Sequence, residues 1–119
     1  MKFTFDKPPA LNGLYVNNRW GGKTLSKSGV AWKEKALWEI RVAHPTKITE
    51  PASLTVDLYT CRHQDNDSIL KVLQDTLQDG GVIEDDYLIF DLRVIKHKCS
   101  LKEEKVEVEI LPLDISILW

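Results

Sequence analysis

Apolar and polar residues change their spacing several times along the 119-residue chain, and each change marks an element. Phe3 and Phe5 alternate with polar neighbours over residues 2–6, the period of two of a short strand, which Pro8-Pro9 closes. From residue 10 to 27 the apolar signal gives way to Asn, Gly and basic residues, which predicts a long loop or a flexible hairpin. Trp32, Ala36, Ile40 and Ala43 then recur at helical spacing, with Lys33, Glu34, Lys35, Glu39 and Arg41 on the wet face. Ser26 or Ser28 supplies the N-cap. Pro45 ends this helix, because the residue before a proline resists the helical region. Leu54, Val56 and Leu58 alternate with Thr55, Asp57 and Tyr59, a strand with one buried face. A second helix is expected over residues 67–79, apolar-periodic from Ile69 to Leu77 and stopped by Gly80-Gly81. Two further strands follow, over 88–96 and 105–111. The order β-α-β-α-β-β predicts an α/β fold, with one small domain spanning residues 1–119 and two helices on a mixed β-sheet.

Composition narrows this picture. Hydrophobic residues make up 43% of the chain and charged ones 29%, ordinary for a globular protein. No apolar run approaches the length of a membrane span, and the N-terminus lacks the continuous apolar segment of a secretory signal. A cytoplasmic protein without membrane contact is expected. Cys61 and Cys99 are too few for a disulfide framework and should be free thiols.

Charge is divided unevenly. Residues 1–50 carry nine Lys/Arg against four Asp/Glu, and residues 51–119 carry seven against fourteen, for a net −2. That total argues against a simple nucleic-acid binder, since such domains are usually basic. The split, though, suits a phosphate-binding surface beside a metal site, unless it is chance. In the loop at 10–27, Arg19, Lys23 and Lys27 are interleaved with Tyr15 and Trp20. Such a segment can grip a phosphate backbone and stack on bases, or can be a plain solvated loop. The tail at 113–119 is apolar enough to pack on the domain or on a partner subunit.

The chemistry concentrates in residues 64–87. Asp65 and Asp67 precede the second helix; Glu84, Asp85 and Asp86 follow its glycine stop, so two acidic knots bracket one short unit and could face each other across the mouth of the sheet. Carboxylates about 4 Å apart repel by roughly 4 kcal/mol at an effective dielectric near 20. Such a cluster needs a cation or a retained proton, and a hard divalent ion on oxygen ligands is the simplest candidate. Asp65 and Asp67 point to one side of an extended strand end, although Asp67 also reads as an N-cap. An EF-hand is excluded, because the loop lacks Gly at its sixth position and carries Thr76 at its twelfth. Asp67, Lys71 and Asp75 share a helical face, either as a surface ion-pair ladder or with Lys71 beside a metal site and Asp75 holding it. A rival zinc set, Cys61-x-His63 with His97-x-Cys99, competes with two buried thiols and two surface imidazoles.

Asp65-x-Asp67-x-x-x-Lys71, Asp75-x-Leu77 and the Asp85-Asp86 pair resemble the RusA-type Holliday-junction endonucleases. Pro8-Pro9, Asn12 and Ser26-x-x-Gly29 extend the resemblance upstream, so that it covers nearly the whole chain to about Leu111. It implies a structure-selective endodeoxyribonuclease that resolves four-way DNA junctions as a homodimer. Asp65, Asp67, Asp86 and Lys71 become the catalytic set, with the three aspartates holding Mg2+ or Mn2+ to polarise the phosphate and activate water. Cleavage would leave 5′-phosphate and 3′-hydroxyl ends. Asp75 and Asp85 would support that set, and Arg19, Lys23 and Lys27 would contact DNA. Trp32, Trp38 and the apolar tail are the candidate subunit contacts. The chain departs from the family at Ser68, where Asn is usual, at Leu88, where Gln is common, and in a basic run reduced to Cys61-Arg62-His63-Gln64. Those changes spare the metal site and bear on DNA affinity and sequence preference. The alternatives are a non-catalytic DNA-binding or structural relative, and a zinc-stabilised interaction module.

Overall fold

A computed structural model describes residues 1–9, 15–17, 19–61 and 66–113, leaving aside the side chains of Tyr15, Lys23, Asn66, Asp67 and Ser68. Strand β1 (Lys2–Phe5) leads to a hairpin of β2 (Tyr15–Asn17) and β3 (Lys23–Leu25), then helix α1 (Lys27–Ala43). Strand β4 (Ala52–Thr60), helix α2 (Asn66–Asp79), β5 (Ile89–Lys98) and β6 (Lys105–Pro112) follow. Short 3-10 turns at Asp86–Leu88 and Leu101–Glu103 introduce the last two strands. The main sheet has the order β1-β6-β4-β5. Only β4 and β5 run parallel, linked through α2 as parallel neighbours require, and the β6 pairings are antiparallel. This is the expected mixed α/β sheet, and the basic loop resolves into a two-stranded hairpin.

One face of the sheet makes the core. Ala52, Leu54, Val56, Leu58 and Thr60 are buried in strict alternation along β4, matched by Val106, Val108 and Ile110 on β6. Helix α1 lays Gly29, Trp32, Ala36 and Ile40 against it, while Ala43, expected on the same stripe, ends the helix exposed. Trp32 is 8% exposed, edge-on to Phe5, and its indole N–H donates to the Asp6 carbonyl. It therefore belongs to the chain's own core rather than to a subunit contact, whereas Trp38 is 63% exposed.

Both helix ends follow from local chemistry. Ser26 is the N-cap of α1, its Oγ accepting the Gly29 N–H at 3.1 Å, which gives the Ser26-x-x-Gly29 spacing a physical reason. His44 closes α1 in the left-handed region at φ 50°, its N–H donating to the Arg41 carbonyl, and Pro45 behind it cannot continue the helix. At the end of α2 the Gly81 N–H donates to the Gln78 carbonyl and the Val82 N–H to the Leu77 carbonyl. This is a Schellman turn, with Gly81 at φ +78° where a side chain would be strained. Val82 and Leu77 are both fully buried beneath it.

Candidate nuclease site

The second acidic knot is held by what surrounds it. Past the Schellman turn, the Ile48 N–H donates to the Val82 carbonyl and the Glu84 N–H to the Ile48 carbonyl, each at 2.9 Å, forming a short parallel bridge between Ile48 and Ile83. Asp85 is extended and caps the next 3-10 turn by accepting the Tyr87 N–H on its side chain. Leu88, 5% exposed, plugs this turn into the core, while Asp86 and Tyr87 remain outside. The position where the resemblance expects a polar Gln thus serves packing here.

The Asp86 carboxyl is pushed above the ordinary aspartate range. A hydrogen bond with the Asp85 carboxyl is the largest cause, followed by desolvation and the negative charges of Asp85 and Asp75. Asp75, on the third turn of α2, is therefore close enough to Asp86 for its charge to be felt there. A proton relieves this crowding at low pH, and a cation would relieve it at neutral pH. All the donors are carboxylate oxygens, which suits a hard ion of the magnesium or manganese type. Among the described residues, no group of three or more His, Cys, Asp or Glu is placed to hold a metal ion alone. Asp65 and the Asp67 carboxylate lie outside the described residues.

Helix α2 connects the two knots. Asp67 lies in its first turn, Lys71 in the second and Asp75 in the third, with Asp67 and Asp75 about 12 Å apart along the axis. The first residue of β5 pairs with Ala52, so the Asp86 turn approaches from the start of β4, whereas Asp65 follows the end of β4. Lys71 is exposed between these approaches. On the basic side, Arg19 sits in the turn of the β2–β3 hairpin with its guanidinium 5.0 Å from the ring centre of Trp20, which is 82% exposed. Lys23 opens β3 opposite Asn17, and Lys27 is exposed at the start of α1.

Sequence reasoning missed one feature. Glu104 Oε2 accepts from Lys7 Nζ at 2.8 Å, the Cys61 N–H at 3.0 Å, Thr60 Oγ1 at 3.1 Å and Cys61 Sγ at 3.5 Å. Lys7 foremost holds its carboxyl down at about 2. The clamp pins the end of β4 at Thr60 and Cys61, five and four residues before Asp65, and joins positions 97 apart in sequence. Such distance leaves no local signal. It also occupies Cys61, while His97 bonds Asp57 at 2.8 Å and stacks on Tyr59. Cys99, its thiol pushed up chiefly by burial, is free, as is Cys61. The described members of the zinc set therefore do not assemble around one ion; His63 lies outside the described residues.

The family model described as Endodeoxyribonuclease RusA matches residues 8–111. A crossover junction endodeoxyribonuclease RusA of Aquifex aeolicus is 32% identical over 109 residues, covering 88% of this chain and 85% of its own.

Proposed function

Because the chain belongs to the RusA family of endodeoxyribonucleases, and is thus a DNA-cutting enzyme, we propose that it resolves four-way junctions by divalent-metal-dependent phosphodiester hydrolysis. The observation that supports the metal dependence is the acidic surrounding of Asp86, where a hydrogen bond with Asp85, then desolvation and the charges of Asp85 and Asp75, raise its carboxyl. Asp65, Asp67 and Asp86 would hold Mg2+ or Mn2+, which when bound supplies Lewis-acid activation of the phosphate and of water. The 3-10 turn orients the Asp86 carboxylate while Leu88 anchors it from below. Lys71 offers its ammonium to the scissile phosphate and offsets the surrounding negative charge. Asp75 and Asp85 set the charge that Asp86 experiences. Arg19, Lys23 and Lys27 neutralise backbone phosphates away from the cut.

A four-way junction has two-fold symmetry, so a homodimer with two sites related by a dyad matches it. Trp38 and the apolar tail remain the candidates for that contact. No helix among the described residues is long and apolar enough to cross a membrane, in keeping with a DNA substrate in the cytoplasm.

A synthetic junction incubated with Mg2+ or Mn2+ tests the reading. The parent should nick opposed strands, and Asp67→Asn should lose roughly 100-fold or more in kcat while still binding. Binding without cutting by either protein would instead identify a non-catalytic relative. Sedimentation as a monomer at micromolar concentration would overturn the dimer.

A further inference from the structure

Tyr87 is the one residue of the acidic turn whose position the proposed chemistry does not use. Its neighbours on both sides are committed: Asp86 to the acidic cluster, Leu88 to the core. The backbone between them is fixed, with the Tyr87 N–H held by the Asp85 side chain and the Leu88 N–H donating to the Asp85 carbonyl at 3.2 Å. Successive side chains in a 3-10 turn diverge by about a third of a circle. A buried Leu88 therefore leaves the Tyr87 side chain on the outer side of the same turn as Asp86, 68% exposed. A single exposed tyrosine is unremarkable on a protein surface. This one stands on a rigid turn next to a carboxylate cluster that repels any anion arriving without a cation.

We propose that Tyr87 is a base-stacking residue, its ring taking the face of a nucleobase next to the phosphate that Asp86 serves. The inference rests on the nuclease reading above and deepens it. A phosphate brought to Asp86 with its cation carries its own nucleobase past the turn, and the phenol ring is the flat, amphipathic surface it meets. Stacking on an aromatic ring tolerates any base, because every base has a π-face. With Leu88 buried, this turn offers a stacking platform where a polar side chain would have read base edges. Base preference at that nucleotide is accordingly weak.

The experiment uses the full chain, Tyr87→Ala and Tyr87→Phe, with junctions carrying 2-aminopurine on either side of the cut. Binding is read by fluorescence with Ca2+ in place of Mg2+, so that a hard cation accompanies the phosphate, and cleavage is read with Mg2+. The parent and Tyr87→Phe should quench the probe. Tyr87→Ala should lose the quench and roughly tenfold in junction affinity, at unchanged melting temperature. Equal quenching and equal affinity in Tyr87→Ala overturn the proposal. So does a change in its sedimentation, which would assign the ring to a subunit contact. If the parent cuts no junction the nuclease reading fails, yet a quench that Tyr87→Ala abolishes would still establish the stacking.

Discussion

Glu104 shows how much one side chain can decide. Four donors converge on a single carboxylate oxygen, and its side chain is only 15% exposed. Its carboxyl is held at about 2 against an ordinary value of 4.5. A depressed folded-state value stabilises the native chain above the unfolded value, and this contribution drains away as pH falls from about 4.5 towards 2. At roughly 1.4 kcal/mol per unit, reduced for partial exposure, the stabilisation is about 2–3 kcal/mol at neutral pH. Glu104→Gln should lose that much at pH 7 in urea unfolding, and the gap to the parent should narrow steadily on titration from pH 4.5 towards 2. A gap independent of pH would show that the charge contributes nothing. Nothing in Glu103-Glu104 before a strand distinguishes this carboxylate from a solvated one. Its partners, Lys7 and residues 60–61, are brought to it only by the sheet order.

At the level of elements, the strands and helices were legible because one face of each is wet and the other dry. The alternation over β4 and the spacing of Ile69, Val72, Leu73 and Leu77 on α2 need no tertiary information. The hairpin was ambiguous because strands of three residues, Tyr15–Asn17 and Lys23–Leu25, are too short to show a period. Ends were read from glycine and proline, and the double glycine turns out to do two different jobs. Gly81 supplies the left-handed backbone. Gly80 supplies space: a Cβ there would come 3.0 Å from Ile40 Cδ1 and 3.1 Å from the Thr76 carbonyl oxygen. The carbonyl belongs to the helix and Ile40 is fully buried, so neither yields freely. The same crossing is tied by an ion pair from Lys33 to Asp79. Gly80→Ala should therefore cost about 1–3 kcal/mol by overpacking, read as a lower urea midpoint at unchanged slope. An unchanged midpoint would mean that α1 shifts without cost.

Over the whole molecule the question is how a chain of net charge −2 holds a polyanion. Long-range attraction cannot supply the affinity, because the summed charge has the wrong sign. On the proposed reading, the basic excess of residues 1–50 would act locally, through side chains placed on the duplex. Arg19 at the hairpin turn and Lys27 at the start of α1 are exposed and joined through Ser26, which caps α1 directly after β3. Each phosphate neutralised releases counterions, so log Kd plotted against log salt has a slope near 0.9 per contact on duplex arms. Arg19→Ala and Lys27→Ala should each lower that slope by about one and weaken binding alike for all junction sequences. Lys2, on the β1 edge of the sheet and paired with Glu109, is the control, and Lys2→Ala should leave the slope unchanged. A slope that falls equally in all three would mean that diffuse charge rather than this surface binds DNA. A slope untouched by either the Arg19 or the Lys27 change would move the DNA to another face of the fold.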